Sequence, residues 1–242
     1  MRARGGRDGA TAGGVVHIET SVMLATPSYS GTVPIPFVRS LLDTVDALSG
    51  AGVPHVFVDV SGCAYVERAR DMLASAFLDR TACSHLLFVD ADMRWPGAAV
   101  VRLLNARRPV VAGAYQGRKP PHTWHVERLD GETTDCHGFV AVRRVATGFM
   151  LIERAVLEQL AKDSEVYVED VAGAPLTVRR LFRTGVSSRA WITEDYAFCD
   201  AVRAAGFSVY VDTQTTLGHL GERWVTGDVA RMASAILEEG TR

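Results

Sequence analysis

Residues 85–96 read HLLFVDADMRWP: an apolar run ends in two aspartates one residue apart, and a turn follows at once. In an extended chain, residues i and i+2 point the same way. If the extension persists past the strand end, Asp90 and Asp92 aim both carboxylates into one volume. Two like charges that close repel, and a divalent cation is the ordinary remedy. Oxygen-only ligation favours Mg²⁺, Mn²⁺ or Ca²⁺ over zinc, and Mg²⁺ is commonly shared between one or two carboxylates and substrate phosphates. The pair therefore points to a metal–phosphate site. Asp-X-Asp alone is also a common strand-to-helix turn, in which Asp bonds the backbone. A second acidic pair, Glu194-Asp195, opens a predicted helix, where the N-terminal field keeps carboxylates ionised. That too is an ordinary way to start a helix.

The elements that must carry these residues are readable from periodicity. VVHIETSVMLATP (residues 15–27) predicts a first strand closed by Pro27, and Phe37, Leu41, Leu42, Val45 and Leu48 recur at helical spacing up to Gly50–Gly52. HVFVDV predicts a second strand, and Val66, Ala69, Met72, Leu73, Ala76 and Phe77 a second amphipathic helix. HLLFVD is the third strand; its unbroken apolar character implies burial on both faces. Pro96 starts a helix bearing Val100, Val101, Leu103 and Leu104, and PVVAGAY follows as a fourth strand. Strands alternating with helices predict an α/β domain with a mostly parallel central sheet flanked by helices, whose ligands bind beyond the carboxyl ends of the strands. Asp90 and Asp92 fall at one such end.

After Tyr115 the regularity breaks. Residues 116–149 read as loop and short hairpins, FMLIERAVLEQLAK as strand then helix, and residues 163–191 as polar and irregular. In TEDYAFCDAVRAAG, Thr193 is placed as an N-cap, Phe198, Val202 and Ala205 form an apolar stripe, and Gly206 ends the helix. SVYVDT predicts a strand, GHLGERW a loop, and Val229, Met232, Ala233, Ile236 and Leu237 a last helix. Residues 1–14 read as a disordered Gly-rich leader and 15–242 as one domain.

Composition narrows the class. Of 242 residues 48% are hydrophobic and 22% charged, with a net charge of −2, so the global field advertises neither nucleic acid nor an anionic membrane. No apolar run approaches the ~20 residues of a membrane helix. Cys63, Cys83, Cys136 and Cys199 are scattered, with no CxxC pair, which suggests free thiols in a reducing compartment. A cytoplasmic protein is expected.

The stretch VERARDMLASAFLDRTACSHLLFVDADMRWPGAAVVRLLNARRPVVAGAY resembles the core of nucleotide-sugar glycosyltransferases of the GT-A fold, family 2-like. The shared pieces are an Arg-rich helix, an apolar strand, Asp-X-Asp, Trp-Pro and a strand ending in Gly-X-Tyr. VATGFMLIERAVLEQL and ITEDYAFCDAVRAAGFSVYVD with GHLG resemble later family segments, in the family order, so that the likeness spans roughly residues 20–221. It implies a GT-A (Rossmann-like) fold and a metal-dependent, hexosyltransferase-type enzyme. Such an enzyme moves a sugar from a nucleoside-diphosphate sugar to an acceptor hydroxyl, with Mn²⁺ or Mg²⁺ as cofactor.

Residue by residue, the resemblance assigns the metal to Asp90, Asp92 and His219. It gives the general base of an inverting reaction to Asp195, with Glu194 shaping the acceptor side. Thr26, Pro27 and Tyr29 would cradle the nucleobase or ribose, and Asp59, after the second strand, would accept from them. Arg70 would stand near the nucleotide, alongside Asp90, Ala91 and Gly148. The chain departs from the family at Asp71, where many relatives have Asn after the Arg, which puts a negative charge near the diphosphate side. Residues 163–190 are not placed by the resemblance; their Arg179, Arg180, Arg183 and Arg189 read as a solvated basic loop or as a site for an acidic acceptor. Trp95 and Trp191 suit either sugar stacking or packing. A haloacid-dehalogenase-type phosphatase would carry Asp-X-Asp on its first strand, and a sugar-phosphate nucleotidylyltransferase a Gly-Thr-Arg loop where this chain has ATPSYSGTVP. A non-catalytic nucleotide-sugar binding protein would lack the acidic residues.

Overall fold

A computed structural model describes residues 20–171, 173–187, 189–221 and 224–238; the expected leader lies outside them. The chain runs β1 (Val22–Ser28), α1 (Ile35–Gly50), β2 (His55–Ser61), α2 (Val66–Arg80), β3 (His85–Val89), β4 (Met93–Arg94), α3 (Ala98–Asn105) and β5 (Val110–Gly113). It continues β6 (Val126–Arg128), β7 (Phe139–Val145), β8 (Phe149–Glu153), α4 (Arg154–Ala161), β9 (Val166–Val171), β10 (Ala174–Arg179), β11 (Gly185–Ser187) and β12 (Ala190–Ile192). Last come α5 (Glu194–Ala204), β13 (Val209–Asp212), β14 (Gly218–Leu220), β15 (Trp224–Thr226) and α6 (Val229–Glu238).

The eight-stranded sheet has the order β2-β1-β3-β8-β5-β13-β7-β6. β1 is parallel to β2 and β3, and β13 to β5, whereas β8 opposes β3 and β5, and β7 opposes β13 and β6. Only β7 and β8 therefore run against the common direction, and the sheet is mostly parallel as expected. Period-two alternation explains the apolar strands. Val22 and Leu24 of β1, with Leu87 and Val89 of β3, join the layer under α1 and α3. Met23 and Ala25, with Leu86 and Phe88, join the opposite layer with α2, α4 and α5. A sheet covered on both faces has no use for polar residues in its central strands, which is why HLLFV carries none after its first position.

Pro27 does not close β1, which runs on to Ser28. The β3 register ends at Ala25, so from Thr26 onward β1 has β2 alone as a neighbour, and a proline fits where no second ladder needs its N–H. Residues 163–191 are not irregular: β9 and β10 form one hairpin and β11 and β12 another. Within GHLGERW, Gly218–Leu220 and Trp224 are strand and not loop, because β14 pairs with both β15 and β4; residues 222 and 223 lie outside the described residues.

Trp95 is packing, not a platform. Its ring sits edge-on to Phe37 at 5.1 Å, its Nε1 donates to Thr44 Oγ1 at 2.7 Å, and its backbone N–H donates to Ser40 Oγ at 3.0 Å. Gly97 then lets α3 approach α1: a Cβ there would lie 2.5 Å from the Asp43 carbonyl. This clamp holds the chain immediately after Asp-X-Asp.

Candidate active site

Beyond the carboxyl ends of β1 and β3 lies a cavity of about 610 Å³. Its walls include Pro27, Ser28 and Tyr29 from the end of β1, Cys63 and Ala64 after β2, Asp90, Ala91 and Asp92 after β3, and Arg118 and Leu220. The extended conformation does not persist past β3. Asp90–Asp92 form a turn in which Met93 N–H donates to the Asp90 carbonyl at 3.1 Å. The two carboxylates still face one cavity.

Two backbone bonds fix this turn from either side. Asp90 N–H donates to the Gly148 carbonyl at 3.0 Å, and Leu220 N–H donates to the Asp92 carbonyl at 2.9 Å. The first ties Asp-X-Asp to Thr147-Gly148-Phe149; the second ties it to β14, whose His219 pairs with Met93. His219 Nε2 consequently lies 3.5 Å from Asp92 Oδ2. Gly148 is required by close approach: a methyl group there would overlap the Tyr115 hydroxyl and stand 3.0 Å from Asp90 Oδ2. Gly148 N–H donates to that hydroxyl at 3.1 Å, and the Tyr115 ring stands edge-on to His219 at 4.9 Å.

Arg70 is 3% exposed and lies beneath the site. Its Nη2 donates to Asp90 Oδ1 at 2.8 Å and its Nη1 to Glu194 Oε1 at 2.6 Å. Arg70, expected near a nucleotide, is committed to two carboxylates and does not line the cavity. Burial raises the pKa of both Asp90 and Glu194, with Arg70 opposing the rise. Asp92 goes the other way: burial raises it, but its surroundings, the Arg118 guanidinium among them, more than reverse that. Adjacent carboxyls are therefore held at different proton affinities by different cations.

Thr26 is buried with its hydroxyl unpartnered, and Asp59, within β2 rather than after it, is exposed and accepts from Ser61 Oγ at 2.6 Å. Neither lines the cavity, whereas Pro27, Tyr29 and Ala91 do. Thr193 holds the N-cap position of α5, but its hydroxyl donates to Asp195 Oδ1, which also accepts the Tyr196 N–H at 2.8 Å. Asp195 stands outside the cavity, close enough to act on the charges of Arg70 and Asp90. Trp191 is exposed on the hairpin just before it, opposite Val186.

Asp71 does not face the diphosphate side. Its Oδ1 accepts the N–H groups of Leu181 and Phe182, both at 2.8 Å, and so ties the segment after β10 to α2. Three of the four arginines are paired locally: Arg179 with Asp79 at 2.8 Å, and Arg180 and Arg183 both with Glu165, at 2.8 and 3.8 Å. Arg118, missed in the sequence, contacts Asp92 Oδ2 at 2.6 Å and donates from Nε to His219 Nε2 at 2.9 Å. Its setting in QGRKPP has no periodicity, and only the flanking Gly and Pro residues marked a structured turn.

Among the described residues no group of three His, Cys, Asp or Glu side chains is assembled as a metal site. Asp90, Asp92 and His219 are nonetheless gathered at one end of the sheet, and two features suit a hard divalent cation. Asp92 Oδ1 is buried with no hydrogen-bond partner, and His219 turns a ring nitrogen toward Asp92. Carboxylate and imidazole donors with room for water and phosphate fit Mg²⁺ or Mn²⁺.

No protein-family model matches the chain, and no curated protein does. Among solved structures, A197 from STIV is 20% identical, with a TM-score of 0.52 over 84% of this chain and 86% of that one. That likeness is one of fold. A Drosophila β1,4-galactosyltransferase 7, in complex with manganese, UDP-Gal and xylobiose, is 14% identical with a TM-score of 0.43 over 79% of this chain and 65% of its own. The inositol-1-phosphate CTP transferase from T. maritima is 13% identical, also at 0.43, over 91% and 98%. The architecture is the expected α/β domain, a large central sheet flanked by helices. No described helix is long and apolar enough to cross a membrane, and the four cysteines are free thiols.

Proposed function

We propose that the chain is a cytoplasmic, metal-dependent glycosyltransferase of hexosyltransferase type. It moves a sugar from a nucleoside-diphosphate sugar to an acceptor hydroxyl, with inversion. The observation that carries this reading is the convergence of Asp90, Asp92 and His219 beside a cavity of nucleotide size at the carboxyl edge of a mostly parallel sheet. That edge is where open α/β sheets take their ligands.

In this reading Pro27 and Tyr29 hold the nucleoside against the end of β1. Asp92 and His219 hold Mn²⁺ or Mg²⁺, and Asp90, oriented by Arg70, faces the ribose and diphosphate. The ion's chemistry is to stabilise negative charge on the departing diphosphate. Asp195 takes the proton from the acceptor hydroxyl as it attacks the sugar carbon. Glu194, tied to Arg70, links the acceptor side to Asp90 through one guanidinium.

The test is calorimetric titration of a panel of nucleoside diphosphates, with and without Mn²⁺, on the wild type, Asp92→Ala and Asp195→Asn. One nucleotide should bind in a metal-dependent way, lose binding in Asp92→Ala and keep it in Asp195→Asn. With the matching donor and acceptor, Asp195→Asn should lose transfer. Failure of every nucleotide to bind the folded wild type would overturn the proposal.

A further inference from the structure

Arg118 holds the two atoms that the metal reading needs. Its Nη2 lies 2.6 Å from Asp92 Oδ2, and its Nε donates to His219 Nε2 at 2.9 Å. The other ring nitrogen, Nδ1, lies 2.9 Å from the Gln116 carbonyl, which can only accept, so Nδ1 carries the hydrogen and Nε2 offers its lone pair to Arg118. An imidazole lone pair serves one partner at a time. A guanidinium N–H and a metal ion cannot share it, and their positive charges repel at that distance.

We propose that Arg118 is a built-in counter-cation that competes with the divalent ion for Asp92 and His219. Metal binding releases its side chain toward the donor cavity, where an anionic diphosphate gives it a new partner. The inference rests on the assignment of Asp92 and His219 as metal ligands.

Two observations independent of the Arg118 contacts support exchange by the side chain alone. Asp92 Oδ1 is buried without a partner, a lone pair beyond those Arg118 satisfies. The backbone around Arg118 is pinned: Gly117 N–H donates to the Thr123 carbonyl at 2.9 Å, Gln116 bridges to Trp124, and a Cβ on Gly221 would stand 3.2 Å from both Arg118 Cβ and its carbonyl. The side chain, by contrast, is 56% exposed and already forms part of the cavity wall. Rotation about its own bonds is enough to free both ligands. Metal and diphosphate then bind cooperatively, because the ion displaces a cation that the diphosphate can take up.

Mn²⁺ binding, read from the electron-paramagnetic-resonance signal of free Mn²⁺, tests this without any turnover. The proteins are wild type, Arg118→Ala, Arg118→Met (which keeps the apolar stem), Asp92→Ala and the Arg118→Ala/Asp92→Ala double variant. Both Arg118 variants should bind Mn²⁺ about tenfold tighter than wild type, equivalent to about 1.4 kcal/mol. A saturating nucleoside diphosphate should narrow that gap, and Asp92→Ala should abolish binding in either background. Unchanged or weaker binding in both Arg118 variants, with Asp92→Ala still abolishing it, would overturn the competition and leave the metal site standing. Mn²⁺ binding that survives Asp92→Ala, or that is absent from every folded protein, would overturn the competition and the metal assignment together.

Discussion

Asp71→Asn should stabilise the protein above neutral pH, although it removes a carboxylate that accepts two hydrogen bonds. Asp71 is 3% exposed, and burial raises its pKa from 3.8 to about 7, with the Phe182 and Leu181 N–H groups opposing the rise. Between those two values the folded state holds more protons than the unfolded state. Its stability therefore falls as pH rises from about 4 to about 7 and is level beyond. At about 1.36 kcal/mol per pH unit separating the two titrations, the ionised side chain costs the folded state roughly 4 kcal/mol as a ceiling. Asparagine keeps an oxygen for Leu181 and Phe182 and carries no charge, but its amide needs a partner of its own, a cost of about 1–3 kcal/mol. The net expectation is a gain of about 1–3 kcal/mol at pH 8 that falls with pH and reverses to a loss of similar size near pH 4, where Asp71 is protonated in the folded state and only the amide cost remains. Urea unfolding of both proteins at intervals across this range, at constant ionic strength, gives the difference directly. Parallel stability curves, or an Asn variant weaker at pH 8, would refute the reasoning.

Three further perturbations probe the scaffold of the site. Gly148→Ala should shift Tyr115 and Asp90 and cost about 1–3 kcal/mol by overpacking; adding Tyr115→Phe, which removes the overlapping hydroxyl, should restore part of the loss in thermal unfolding. Arg70→Met should cost about 3–5 kcal/mol at pH 7, because Asp90 and Glu194 are left buried without their cation; combining it with Glu194→Gln should recover some of that stability by denaturant titration. Gly97→Ala should force α1 and α3 apart at Asp43, and amide hydrogen exchange should then quicken in both helices while α4 is unaffected.

The sequence displayed what burial imposes on it. β3 sits inside a sheet covered on both faces, so HLLFV had to be apolar, and α1, α3 and α5 each bury one stripe, whereas α2 has no exposed residue from 69 to 78 because Arg179, Leu181 and Phe182 bond to Ser75 and Asp71. The β9–β10 hairpin lies outside that core: Val166 and Val168 face solvent while Leu176 and Val178 are buried, and the alternation is interrupted by acidic residues and Gly173. β14 is three residues long and exists because it pairs with β4 and β15, which no local pattern announces. At the site, Asp90, Asp92 and His219 were legible as residue types with suitable spacing and order. Arg118 and the true direction of Asp71 were not. His219, one of the two partners of Arg118, and Leu181, which donates to Asp71, lie about a hundred residues away in the chain, and only tertiary packing chooses among the groups available.

The insertion of β8 between β3 and β5 has a consequence for how the protein is made. Val89 pairs with Phe149, and Asp90 with the Gly148 carbonyl, across about sixty residues of chain. The β1–β2 pairing joins Val22 to His55, whereas this contact, like the pairing of β1 with β3, must close a loop about twice as long before it gains anything. During synthesis β3 and β5 therefore emerge with a strand-wide gap between them, β3 with one apolar edge unpaired and β5, whose other neighbour β13 also comes later, with two, the kind of surface on which unfinished chains associate. Filling that gap buries the edges that face it and anchors the Asp90 turn in the same event. A chain stopped before β8 would expose sticky strands and lack a working site, and ligand-binding competence would be among the last properties acquired on folding.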